Sequence, residues 1–148
     1  GSGVSATYGM ALLTPATPDG RRDGEPFADG TLSPSQGRDS KGPTAVLKSA
    51  AKIDTRKTYN HLLNQKFLPS MLAGDMKPVF TSYLRTWGEL GISHIQFNVI
   101  DKETLLDAQI HPENHQDLIV RVAGYSAYFV DLSRGLQDSI IARTEQSF

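Results

Sequence analysis

Apolar and polar positions change their period twice along this chain, and the changes mark its elements. From Asp75 to Leu90, Met76, Val79, Phe80, Tyr83, Leu84, Trp87 and Leu90 fall at i, i+3, i+4, i+7, i+8, i+11 and i+14. That is one stripe at helical period. Asp75 is a candidate cap, Pro78 sits in the tolerated first turn, and Gly91 can end the helix in a left-handed turn. From Ser93 to Ile100 the period drops to two, with Ile95, Phe97 and Val99 on one face and His94, Gln96 and Asn98 on the other. That pattern predicts a strand. Before these, Pro43 can open a helix over Thr44–Ile53, and Leu62–Phe67 reads as extended. After them, Asp101 can cap a short helix through Gln109, and Leu118–Val120 suits a buried strand. Arg121–Ala127 is broken by a glycine. Ser133–Arg143 reads as a last helix, with Leu132, Leu136 and Ile140 at four-residue steps.

Residues 4–43 carry no such period. They hold five of the eight prolines and six of the 13 glycines, with turn-rich runs such as Thr14–Gly20 and Ser33–Gly37. Such a stretch is disordered or an irregular excursion that lies on a larger body. Gly1-Ser2-Gly3 reads as an expression scar or linker.

Composition narrows the function classes. The 148 residues suffice for one domain with a core. Fifteen Lys+Arg face 16 Asp+Glu, which gives no field for nucleic acid or an anionic membrane. No apolar run approaches the ~20 residues of a membrane span. The chain has no cysteine. A disulfide scaffold, a Cys-ligated metal and a cysteine nucleophile or thiyl radical within this chain are thereby excluded. Lack of disulfides fits a reducing cytoplasm.

Several motifs stand in one order: Pro18-Asp19-Gly20-Arg21, Glu25-Pro26, Ala28-Asp29-Gly30, Gly42–Ser49, His94–Val99, Arg121-Val122-Ala123-Gly124-Tyr125-Ser126-Ala127, Phe129–Leu132 and Gln137–Thr144. From about Ala16 onward this resembles the glycyl radical enzymes: their C-terminal radical domain, preceded by late segments of their barrel. The RVAGYSA form resembles the eliminase and succinate-adding branches more than pyruvate formate-lyase. The stretches Asn60–Phe67 and Tyr83–Trp87 look closest to hydrocarbon- or arylacetate-processing members.

The resemblance implies an α/β fold in three parts: the linker at 1–3, an irregular barrel-derived segment with a short helix at 4–60, and a glycyl radical domain of three or four helices around short strands at 61–148. It implies that Gly124 is catalytic and carries the radical. A backbone radical is delocalised when the α-carbon flattens, and glycine has no side chain to crowd that geometry. No cofactor would be bound; a radical S-adenosylmethionine activase would install the radical post-translationally, recognising Arg121, Val122, Ala123, Tyr125, Ser126 and Ala127. Arg121 and Tyr125 could equally be supports of the loop. Oxygen would cleave the backbone at such a radical, so an anaerobic setting is implied. A larger barrel subunit would supply the cysteine on which a thiyl radical forms, since this chain alone cannot turn over substrate. The implied function is the radical-storing component of a lyase. A stand-alone spare part that repairs an oxygen-damaged enzyme is the alternative, and an ordinary α/β binding domain is the reading from another class. Exposed barrel-facing surface predicts self-association, as in a homodimer, or marginal stability.

Other residues have plainer readings. His94, Gln96 and Asn98 either line a substrate site or, as the favoured reading, form a satisfied polar face under a neighbouring loop. His111, Glu113 and His115 have metal-like spacing, but Pro112 and polar neighbours suggest an exposed loop, and no metal is expected. Tyr83 and Trp87 read as core. Arg38, Lys41, Lys48, Lys52, Arg56, Lys57 and Lys66 read as a solvated face or one that meets the barrel.

Overall fold

The computed structural model describes residues 6–18 and 20–148. The linker at 1–3 and Asp19 of the Pro18–Arg21 motif lie outside the described residues. Among the described residues, five α-helices and five short strands are interspersed, in keeping with the α/β expectation. In order they are α1 (Ala6–Ala11), α2 (Pro43–Ala50), β1 (Asn64–Phe67), α3 (Lys77–Glu89), β2 (Gln96–Val99), α4 (Lys102–Ile110), β3 (Ile119–Arg121), β4 (Ser126–Tyr128), α5 (Arg134–Ile141) and β5 (Glu145–Gln146).

Strands β2, β1 and β5 form a parallel sheet in that order, with Asn64 beside Gln96 and Lys66 beside Glu145. Parallel neighbours need a crossover, and α3 supplies the one between β1 and β2. Strands β3 and β4 form a separate antiparallel hairpin. Two apolar clusters flank the sheet. One joins Leu32, Val46, Leu47 and Ala50 to Leu63, Phe67, Tyr83 and Ile92. The other joins Leu105 and Ala108 of α4 to Val120, Val122, Phe129 and Ile140 around the hairpin.

Several boundaries differ from the sequence reading. Helix α2 opens at Pro43 but ends at Ala50, and Ala51–Ile53 form a turn. Asp75 does not cap α3: it sits in a 3-10 turn, Gly74–Met76, that leads into the helix with no side-chain cap. Gly91 does take the left-handed conformation, at φ 66°. Asp101 caps α4 as expected, its Oδ1 accepting from the Thr104 backbone N–H at 2.6 Å.

The proline-rich segment is organised by buried side chains rather than by regular structure. Among the described residues before α2 only α1 is helical, and it packs against α5; a six-residue helix depends on such tertiary contact. Arg21, 8% exposed, donates to the carbonyls of Thr14, Pro15 and Glu25 at 2.9, 2.5 and 2.6 Å and stacks over the Phe27 ring. Residues Asp29–Ser33 then run beside the approach to β1. The Leu32 N–H donates to the Leu62 carbonyl at 2.9 Å, and the Asn64 N–H donates to Ser33 Oγ at 3.0 Å.

Candidate functional site

The β3–β4 hairpin presents Gly124 at its tip. Arg121 stands opposite Ser126 as the last strand pair, and the Val122 N–H donates to the Tyr125 carbonyl at 3.0 Å to close the loop. Val122 and Ala123 are buried, at 2% and 5% exposure, while Gly124, Tyr125 and Ser126 face outward. The loop is thus rooted in the core and open at its apex. Gly124 has φ 76°, where an L side chain is strained, yet a Cβ built there would meet nothing within 4 Å. Backbone conformation requires this glycine, and lack of room does not.

Beneath the loop lies the polar face of β2. Asn98 brackets Arg121: its Nδ2 donates to the Arg121 carbonyl and its Oδ1 accepts from the Arg121 N–H, both at 2.7 Å. Gln96 Oε1 accepts from Arg121 Nε at 2.6 Å, and Arg121 Nη1 donates to Ser126 Oγ at 3.2 Å. Gln96 and Asn98 are therefore buried, whereas Phe97 is half-buried and Val99 exposed. A strand's polar side usually faces water, but here the hairpin covers it. The favoured reading, a satisfied polar face under a loop, fits Asn98 and only half of the Gln96 amide, whose Nε2 is buried without a partner. Ring nitrogen Nδ1 of His94 is buried without a partner.

Two charges reach the same loop from distant parts of the chain. Arg143, just past α5, donates from Nη1 to the Arg121 carbonyl at 3.0 Å and from Nη2 to the Val122 carbonyl at 2.5 Å. Its Nε lies 2.7 Å from Asp29 Oδ2, with both side chains largely buried. Burial pushes the Asp29 carboxyl above its ordinary value, opposed by Arg143 and by bonds from Ser33 and Asn64. Burial lowers Arg143 in the same way, opposed by Asp29. Neither residue stood out by pattern. Each lay within a quoted motif, Ala28-Asp29-Gly30 and Gln137–Thr144, but nothing local showed that they meet.

The remaining candidates are placed elsewhere. His111 and His115 lie apart from the hairpin loop, His115 bonded to Asp107 at 2.6 Å and His111 3.4 Å from Glu113. Among the described residues no group of three His, Asp or Glu could hold a metal. Tyr83 is core, 3% exposed, with its hydroxyl donating to Gln65 Oε1 and its pKa raised by burial. Lys66 departs from the solvated face expected of it. It is 1% exposed, donates to the Ile141 carbonyl at 3.2 Å and lies 3.7 Å from Glu145 Oε1, because it occupies the central strand. Burial holds its ammonium below the ordinary lysine value.

An exposed left-handed glycine, held on a rooted hairpin over a parallel sheet, defines a domain that presents one backbone α-carbon. The family model described as Glycine radical matches residues 28–130. The chain belongs to the glycyl radical enzymes. It is 51% identical over 134 residues to trans-4-hydroxy-L-proline dehydratase of Clostridioides difficile, covering 90% of this chain and 17% of that relative. It is 45% identical over 143 residues to indoleacetate decarboxylase of Tractidigestivibacter scatoligenes, covering 96% and 16%. The solved B12-independent glycerol dehydratase of Clostridium butyricum superposes with TM-score 0.88 at 49% identity, over 97% of this chain and 18% of that one. The chain thus spans about a sixth of the length of the relatives it matches. Among the described residues no helix is long and apolar enough to cross a membrane.

Proposed function

We propose that this chain is the radical-storing component of a glycyl radical lyase, with Gly124 as the residue that carries the unpaired electron. The observation that supports this best is the tip of the hairpin: a glycine at φ 76°, exposed, with nothing within 4 Å of the place a side chain would take. A radical S-adenosylmethionine activase would remove one hydrogen atom from that carbon. The electron left behind is shared with the flanking amide nitrogen and carbonyl, which requires the α-carbon to flatten. The unobstructed surroundings of Gly124 allow that change. Of the residues expected to be read by the activase, Tyr125 and Ser126 are exposed, while Val122 and Ala123 lie under the loop and act through its shape.

The chain has no cysteine, so a thiyl radical would form on a cysteine of the larger barrel. That cysteine would return a hydrogen atom to Gly124 and take up its oxidation. The relatives named above are dehydratases and a decarboxylase, which supports a reaction that breaks a substrate bond by elimination or decarboxylation. Radical chemistry at Gly124 implies an oxygen-free setting.

Anaerobic activation followed by electron paramagnetic resonance tests the assignment. A doublet is expected in the native chain and none in Gly124→Ala, and air should then cut the native backbone at residue 124. A silent spectrum under conditions that activate a full-length relative sinks the reading. Mixing the chain with activase and a radical-dead full-length relative separates two roles. Restored turnover would assign a repair function, whereas radical without turnover would assign a component that works only with its own barrel.

A further inference from the structure

We infer that Asp29 and Arg143 form a clamp that sets the backbone conformation of the Gly124 loop, and that both are positioning residues for Gly124. The inference rests on the reading of Gly124 as the radical site, but the clamp itself can be tested without a radical.

The geometry of the guanidinium carries the argument. Two of its nitrogens donate, Nη1 to the Arg121 carbonyl at 3.0 Å and Nη2 to the Val122 carbonyl at 2.5 Å, while Nε lies 2.7 Å from Asp29 Oδ2 as an ion pair without a hydrogen bond of its own. Consecutive carbonyls of an extended strand point to opposite sides. One planar fork can reach both only where the chain has left strand geometry. Strand β3 ends at Arg121, and the loop that carries Gly124 begins at Val122. Arg143 therefore binds the bend that launches the loop, and it does so in a shape that a single point charge cannot copy.

Asp29 holds the fork in place. Its backbone carbonyl accepts from Asn64 Nδ2 at 2.6 Å. Asn64 opens the central strand, so the clamp is fixed to the sheet. The chain order is unusual: a residue of the irregular segment steadies an arginine near the C-terminus, which steadies a loop between them. Asn98 supplies a second hold on Arg121, but it does not reach Val122. Val122 is thus the point where Arg143 alone provides the side-chain donor among the bonds described. Loss of the clamp leaves β3 in place and frees the residues after it, where the orientation of the Gly124 peptide planes is decided.

The test is hydrogen exchange on the full chain, comparing Asp29→Asn, Asp29→Glu and Arg143→Lys with the native sequence. In each variant the Val122 amide, bonded to the Tyr125 carbonyl in the native loop, should exchange about tenfold faster or more, with α3 unchanged. Arg143→Lys is decisive, since it keeps the charge but not the fork. Native protection of the loop in Arg143→Lys, or equal loosening throughout the chain, overturns the clamp. If Asp29→Asn fails to fold, Asp29→Glu and Arg143→Lys still decide the matter, as each retains a charged pair. Radical yield after anaerobic activation is the second readout, and it should fall in the same variants. A native chain without a radical signal would count against Gly124 while leaving the exchange result standing. A normal signal with unchanged yield in loosened variants would overturn the positioning role.

Discussion

Gly30 and Gly124 are glycines for opposite reasons, and substitution should separate them. A Cβ on Gly30 would stand 2.4 Å from the Leu62 carbonyl oxygen and 2.7 Å from Ser33 Oγ. Backbone cannot withdraw without breaking the contacts that carry residues 29–33 alongside β1. Gly30→Ala should therefore destabilise the protein by about 1–3 kcal/mol, as overpacking does, measured by urea denaturation. Gly124→Ala meets no neighbour and bears only the left-handed penalty, about 1–2 kcal/mol, while abolishing the radical signal. The role proposed for Gly124 rests on the family signature that the residues around it carry. The need for Gly30 was not, since the atom it avoids belongs to a segment some thirty positions away that no local pattern brings near. Lys66 teaches the same lesson. Its type argued for solvent, and only the position of β1 between two other strands explains its burial.

At the scale of elements, periodicity located α2 to α5 and β1 to β3, missed α1, β4 and β5, which are short and held by tertiary contact, and judged faces less well. Alternation over Ser93–Ile100 was correct, but the polar side of β2 is the one that is covered. A period of two distinguishes two faces without saying what lies over each. Here Arg121 arrives with partners for Gln96 Oε1 and for both ends of the Asn98 amide, while Gln96 Nε2 stays buried without one. Caps were legible only where the side chain acts alone. Asp101 caps α4, whereas the 3-10 turn ahead of α3 displaced Asp75 from that role. The bonds to Thr104 lower the Asp101 pKa below its ordinary 3.8. A carboxylate lowered by folding contributes stability above its unfolded value and loses it as pH falls through the folded one. Asp101→Ala should thus cost about 1 kcal/mol at neutral pH. The difference from the native chain should shrink below pH 3.8, as followed by thermal melts across the acid range.

Across the whole molecule, the central strand gathers the aromatic core. Phe67 is fully buried and meets Phe80, Tyr83, Phe97 and Phe148 at centroid distances of 5.3 to 5.8 Å. Phe67→Ala should cost about 3–5 kcal/mol and lower the denaturation midpoint more than any surface change. The apolar stripe of α3 foretold one side of this cluster. The contribution of Leu32 and the irregular segment was hidden, because it depends on tertiary contacts alone. The sheet order also has a temporal side. Strand β1 gains its partner β2 after one crossover, but its other edge stays bare until Glu145 and Gln146 exist. During synthesis on a ribosome the half-built sheet therefore presents an unpaired edge through the production of α4, the hairpin and α5, an interval in which sticking to another nascent chain competes with correct closure.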